Sequence, residues 1–338
     1  MAAPRKRAVT VADVAALAGV SLGTVSKAIN GRGQLRAETR ARVIDAAREL
    51  GFQPNLLAQG LVSGRTYTVG ILSTDGYGRF TIPILEGAED VLGPGEMSML
   101  LCESRGDPIR ELHYLRTLLA RRVDGIIVTG RGSDPRPSLN RTLPIPVVYA
   151  LSQSDDPSDV SVTPDDAGGA ARAVEHLVAE GRRRIALIAG PAGHAASHNR
   201  MTGSESALRA AGLDPAGGGP LFGTWSEEWG REAVRRLRDV PVDALFCASD
   251  QIARGAVDEL RENGRSVPDE VAVIGVDNWA VMAEASRPPL TTIDLDLREV
   301  GRIAATRLLE AIDGHDVRPG VELVACRLVV RASAPGSS

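Results

Sequence analysis

"VADVAALAGVSLGTVSKAIN" runs from Val11 to Asn30 and decides how the first part of this 338-residue chain folds. Apolar residues at helical spacing promise one continuous helix, but Gly19-Val20-Ser21 breaks the pattern and a second helical run begins at once. Thr10 and Asp13 are spaced as a capping box, so a helix starts near Val11, with Val11, Val14, Ala15, Leu17 and Ala18 as its apolar face. Gly19 ends it, because a residue without a Cβ takes the left-handed conformation that follows a last helical turn. Ser21 caps the next helix, which runs from Leu22 to about Ile29 and stops at Asn30-Gly31. Val20, Val25 and Ile29 then point back to the first helix, while Leu22, Gly23, Ser26 and Lys27 face outward. Two short helices set at a steep angle by a glycine turn read as a helix-turn-helix, whose second helix fits the major groove of DNA. A third helix over 38–50, with Val43, Ala46, Ala47 and Leu50 inward and Gly51 after its end, completes a three-helix module.

Charge divides the chain at about the same place. The first 65 residues carry ten Lys or Arg against four Asp or Glu, and the remainder carries 29 against 39. A small basic module joined to a larger acidic one suits a polyanion partner for the first part only. No run of about 18 apolar residues occurs, and "MAAPRKRA" has no apolar stretch behind it, so a cytoplasmic location is expected. Cys102, Cys247 and Cys326 lie far apart without paired spacing and are expected to be buried thiols.

"PNLLAQGLVSGRT", Pro54 to Thr66, follows the module. Pro54 breaks the preceding helix, Asn55 caps a new one, and residues 56–62 make two turns before Ser63-Gly64. A helix that short, with Gly60 inside it, is unstable alone and is expected to fold only on DNA. From Tyr67 onward, short apolar runs alternate with amphipathic stretches. Strands are expected at 69–73, 99–102, 125–128, 147–150, 160–162, 185–188, 244–247 and 271–276. Helices are expected at 83–92, 109–120, 167–179, 201–211, 227–238, 251–262 and 297–312. Short apolar strands between such helices indicate an α/β fold with parallel sheets, and their number favours two lobes over one sheet.

The string "VTVADVAALAGVSLGTVSKAINGRGQLRAETRARVIDAARELGFQPNLLAQGLVSGRTYTVGIL" resembles the lac repressor (LacI/GalR) family of bacterial transcription regulators. The likeness continues through "RVDGIIV", "RIALIAGP", "ALFCASDQIARGA", "VAVIGVDN" and "RPPLTTIDLD" in the family's order, and so covers nearly the whole chain. It implies an N-terminal helix-turn-helix DNA-binding domain (1–54), a hinge helix and linker (55–66) and a two-lobed periplasmic-binding-protein-like domain (67–338). Lobe 1 would hold 67–162 and 291–318, and lobe 2 would hold 163–290 and 319–333. The resemblance further implies a homodimer on a palindromic double-stranded operator. Leu22, Gly23 and Lys27 fall where bases are read, and Ser21, Thr24, Ser26 and Asn30 where phosphates are contacted. It places Leu61 as a minor-groove wedge beside Asn55 and Ala58 of the paired hinge helices.

In open α/β sheets ligands bind beyond the C-terminal ends of the strands. Residues expected there are Asp75, Tyr77, Phe80, Arg131, Tyr149, His198, Arg200, Trp225, Asp250 and Asp277. Aromatic faces with carboxylates and guanidinium groups suit a sugar, and Arg200, Trp225 and Asp277 align with family positions that contact the effector. Asp250 and Asp277 have a competing role as helix caps. Ala150, Ser249 and Leu297 depart from the lac repressor's own sugar ligands, so the same galactosides are not expected. The expected function is a repressor of sugar uptake or catabolism genes controlled by a small-molecule effector in the cleft. The alternatives are a nucleoside, purine or other non-sugar effector, or a solute receptor without DNA function. No enzyme activity is expected, since no nucleophile elbow, P-loop or dinucleotide fingerprint occurs. His194 and His198 are spaced like a helical metal pair but lack a third ligand, so neither a metal nor a cofactor is expected.

Overall fold

The computed structural model describes residues 9–29, 34–52, 65–76, 78–95 and 97–336. The chain divides into two units between Thr66 and Tyr67. Asn30, Tyr77, Asn55, Ala58 and Leu61, and with them the expected hinge helix, lie outside the described residues.

The first unit holds α1 (Val11–Ala18), α2 (Leu22–Ile29) and α3 (Ala37–Leu50). Thr10 N donates to Asp13 Oδ2 at 2.7 Å and Asp13 N to Thr10 Oγ1 at 3.3 Å, so the capping box closes in both directions. Gly19 sits at φ 65°, and the two helices bend by 101° across it. Val14, Ala18, Val25, Ala28, Val43 and Ala46 form a small core with Val20 and Ile29 at its edge. Val11 and Leu17 depart from expectation and are exposed. Leu17 flanks the Val14-Ala15-Ala18 stripe, and Val11 is the first residue of α1.

The second unit folds into two lobes. Lobe 1 contains β1 (Thr68–Ser73), β2 (Ser98–Glu103), β3 (Gly125–Thr129), β5 (Val147–Ala150), β7 (Val160–Pro164) and β13 (Gly320–Val324). These form a parallel sheet in the order β13-β7-β5-β3-β1-β2, and a separate short ladder joins β4 (Pro135–Arg136) to β6 (Gln153–Ser154). Lobe 2 contains β8 (Ile185–Ala189), β9 (Leu221–Phe222), β10 (Ala244–Cys247), β11 (Ala272–Val276), β12 (Thr291–Asp294) and β14 (Arg327–Val329). Their order is β14-β12-β11-β10-β8-β9, with only β14 antiparallel to its neighbour.

Central strands are buried along their whole length because helices cover both faces of each sheet. In lobe 1, Ile71, Ile127 and Val148 face one core with α4 (Thr81–Leu92) and α11 (Leu297–Ile312), while Leu72, Val128 and Tyr149 face another with α5 (Pro108–Ala120). In lobe 2, Leu187, Phe246 and Ile274 pack toward α6 (Asp166–Ala179) and α7 (Ala195–Ala210). Ile188, Leu245 and Val273 pack toward α8 (Glu227–Arg236) and α9 (Asp250–Glu262), and α10 (Ala280–Ala283) is a single short turn.

The chain passes between lobes three times, after β7, after β12 and between β13 and β14. The first crossing matches the expected one near Val162 to within a few residues. The others come later than expected: β12 belongs to lobe 2 and β13 to lobe 1, so the crossings fall near Leu295 and Ala325 rather than Leu290 and Pro319. The cause is β12's polar sequence. Its threonines are buried through hydrogen bonds, Thr291 Oγ1 to the Arg331 carbonyl and Thr292 Oγ1 to Asp250, so no apolar run marks the strand.

Candidate functional site

Two groups of residues stand out, one in each unit. In the first, Ser21 Oγ accepts from Thr24 N at 3.2 Å and lies 2.9 Å from Thr24 Oγ1, which fixes the first turn of α2. Val25 and Ala28 hold the helix down, leaving Ser21, Leu22, Gly23, Ser26 and Lys27 exposed along one side and Thr24 half-buried. This is the form of a helix whose N-terminal half can enter a groove, with a cation one turn further on.

The second group lines a cleft of about 560 Å³ between the lobes. Asp75, Phe80, Arg131, Arg200, Trp225 and Asp277 all reach it, as expected from their places near strand ends. Arg200 is its buried centre: Nε donates to Asp166 Oδ1 at 2.7 Å and Nη1 to the Ala248 carbonyl at 2.6 Å. Asp277 Oδ1 is 3.8 Å from Arg200 Nη1. Burial opposes the Arg200 charge, but Asp166 and Asp277 outweigh it and hold the guanidinium firmly protonated. Burial likewise pushes the Asp277 carboxyl up against the opposing pull of Arg79 and Arg200. Asp277 stands at φ 111°, a conformation that L-residues seldom adopt, and Asn278 after it at φ 50°. Such strain is characteristic of binding sites, where the surrounding fold imposes it.

Trp225 lies half-buried over the end of β8, where a Cβ at Gly190 would strike its ring. Its Nε1 donates to His194 Nδ1 at 3.0 Å, and the Arg200 guanidinium is 5.9 Å from its ring centroid. Asp75 is already occupied: its Oδ2 accepts from Phe80 N and Thr81 N at 3.2 and 3.1 Å, which makes it the cap of α4. Arg131, mostly exposed, stands 3.8 Å from Asp75 at the mouth.

Three expected residues do not line the cleft. Tyr149 is fully buried in the core of lobe 1, and its hydroxyl accepts from Leu139 N at 2.7 Å. His198 is exposed beside Phe222 on the outside of α7. That helix begins at Ala195 rather than near Met201, so His198 and Arg200 point to different sides instead of sharing a loop. Asp250 lies behind the lining, at the first position of α9 after the Ser249 cap, bonded to Thr292 Oγ1 and to Trp279 N. The sequence also missed cleft residues, namely Arg79, Asp134, Asp166, His194 and Trp279. Trp279 and Arg79 sit in the same strand-end loops as Asp277 and Phe80 and were open to the same rule. Asp134 was not, because it joins the site by accepting from Ala195 N, at 2.7 Å, across the lobes. Cys247 and Cys326 are buried and Cys102 is half-buried.

Comparison with known proteins agrees with both units. Residues 10–55 match the bacterial regulatory proteins of the lacI family, and residues 174–334 match the periplasmic binding protein-like domain. The HTH-type transcriptional regulator CelR of Thermobifida fusca is 37% identical, over 97% of this chain and 99% of its own length. Among solved structures, a transcriptional regulator CelR-cellobiose complex aligns with TM-score 0.68 at 32% identity, covering 96% of this chain and 99% of that one. The lac repressor dimer bound to operator and the anti-inducer ONPF aligns with TM-score 0.76 at 28% identity, covering 98% of this chain and 100% of that one.

Proposed function

Since this chain belongs to the lacI family of bacterial regulatory proteins, a family of DNA-binding transcriptional regulators rather than enzymes, we propose that it is a dimeric repressor of genes for sugar uptake or catabolism. Each protomer reads half of a palindromic operator in the cytoplasm, with Leu22, Gly23 and Lys27 toward the bases and Ser21, Thr24, Ser26 and Asn30 toward the phosphates. The hinge residues Asn55, Ala58 and Leu61 bind the minor groove. An uncharged sugar in the interlobe cleft controls the complex.

The observation that carries the ligand class is the pairing of charges in the cleft. Each lining arginine already faces a lining carboxylate: Arg200 with Asp166, Arg79 with Asp277 and Arg131 with Asp75. Among the described lining residues no arginine is left unpaired to attract a phosphate, whereas such pairs offer adjacent donors and acceptors to hydroxyl groups, beside the faces of Trp225 and Phe80. A relative's structure holding cellobiose is in keeping with this ligand class. Coupling between such sites is typically about 1–3 kcal/mol, enough to release an operator at cellular concentrations.

The test selects bound duplexes from a random pool with the full chain, then screens neutral saccharides, sugar phosphates and nucleosides for an effect on the complex. A palindromic winner released by a neutral saccharide is the expected result. Absence of any retarded duplex at low salt overturns DNA control, and response only to a nucleoside or phosphate overturns the sugar.

A further inference from the structure

One side chain of lobe 1 reaches across the cleft. Arg79, in the loop after β1, places Nη2 3.1 Å from Asp277 Oδ2 in the loop after β11 of lobe 2. Its guanidinium carbon lies 4.5 Å from the Phe80 ring centroid and 4.8 Å from that of Trp279. Phe80 belongs to lobe 1 and Trp279 to lobe 2, so aromatic rings from both lobes contact the guanidinium and fix its position.

This arrangement leaves hydrogen-bonding capacity unused. Arg79 Nη1 and Asp277 Oδ2 are both buried and neither makes a hydrogen bond; the contact between Oδ2 and Nη2 is an ion pair without hydrogen-bond geometry. The Asp277 side chain is 5% exposed and lines the cleft. A buried donor and a buried acceptor without partners are costly alone, and they suit a ligand that supplies both complements at once.

We propose that Arg79 is a ligand-reading residue: Nη1 donates to one hydroxyl of the bound sugar while Asp277 Oδ2 accepts from the same or the neighbouring hydroxyl. The assignment rests on the sugar reading above. A hydroxyl is both donor and acceptor and satisfies the pair, whereas a phosphate would offer acceptors alone and face the Asp277 charge. Arg79 thereby sets preference for particular hydroxyls and ties their recognition to contact between the lobes. Lysine cannot substitute fully, because an ammonium lacks the planar fork that pairs with Asp277 and packs against the rings.

The experiment is titration calorimetry on the full chain with cellobiose and its singly deoxygenated analogues, comparing wild type, R79A and R79K. R79A is expected to weaken cellobiose binding by about 10–100-fold, the usual worth of a hydrogen bond to a charged group, and R79K to recover only part of it. Wild type should discriminate against one or two of the deoxy analogues by about tenfold or more, and R79A should lose that discrimination at the same positions. A purely structural role would weaken all analogues alike. Equal binding by wild type and R79A, or discrimination that survives in R79A and R79K, overturns the Arg79 assignment and leaves the sugar reading standing. Wild type that binds neither cellobiose nor any other neutral saccharide overturns the sugar reading and this assignment with it.

Discussion

Asp250 Oδ1 accepts a 2.5 Å hydrogen bond from the Thr292 hydroxyl, which in turn accepts from Asn278 N at 3.3 Å. The bond joins the first turn of α9 to β12 directly behind the cleft wall, and it fixes the loop that carries Asp277 and Trp279. Oδ2 of the same carboxyl accepts from Trp279 N at 2.8 Å, so both oxygens serve the wall rather than a ligand.

Burial, reinforced by the charge of Asp277, pushes the Asp250 carboxyl up to about 8. A pKa raised in the folded state means that the native protein favours the protonated form. The resulting stability is complete below the unfolded value of about 3.9 and is lost as pH rises through the folded value. Melting temperature should therefore decline from about pH 4 to about pH 8 and level off above it. D250N, which keeps an acceptor for Trp279 N and is neutral at every pH, should flatten that decline. A wild-type profile that is level across this window, or a D250N profile as steep as wild type, counts against a neutral Asp250.

Tyr149 gives a clean contrast. Y149F removes the acceptor of Leu139 N in the core of lobe 1 and should cost about 1–2 kcal/mol in urea denaturation. Ligand affinity should stay unchanged, since the ring is in the core and not in the cleft. A large loss of affinity in a folded Y149F protein would return Tyr149 to the site.

Arg200 combines binding and stability. R200A leaves Asp166 buried without its compensating charge and Asp277 with Arg79 alone, and should destabilise the second unit by about 3–5 kcal/mol. Effector response should vanish while retardation of the operator persists at temperatures below the lowered melting point. Calorimetry on R200A showing a normal ligand response would remove Arg200 from the contact set.

Gly19→Val tests the first unit alone. A β-branched residue at φ 65° costs about 1–2 kcal/mol or more in backbone strain, although no atom lies within 4 Å of the added Cβ. Protease sensitivity within 1–66 should rise and duplex retardation should weaken, with the melting of 67–338 unaffected. Normal DNA binding by this variant would show that the turn tolerates other geometries.

Lys27→Ala tests base reading. If the ammonium donates to a base edge, specific affinity should drop by about 1–3 kcal/mol while binding to random duplex changes less. Equal losses on both DNAs would make Lys27 a phosphate contact.

Local chemistry made much of this molecule legible. Thr10, Asp13 and Gly19 act within one turn of the residues they cap, so the start, end and angle of α1 could be read directly. The central strands announced themselves as apolar runs because both of their faces are covered. Strand ends marked Arg200, Trp225 and Asp277 as cleft residues by the same logic.

What the sequence by itself determined is therefore much of what is governed by neighbours along the chain: the helix-turn-helix, the alternation of strands and helices, and the charge division near residue 65. The tertiary structure alone decided which lobe owns β12 and β13, that Tyr149 and Asp250 turn away from the cleft, and that Arg79 meets Asp277 across it. The physical reason is range. A cap or an apolar stripe acts over one or two turns, whereas the direction of a buried polar side chain is set by partners that folding brings together from distant parts of the chain, as Thr292 is brought to Asp250.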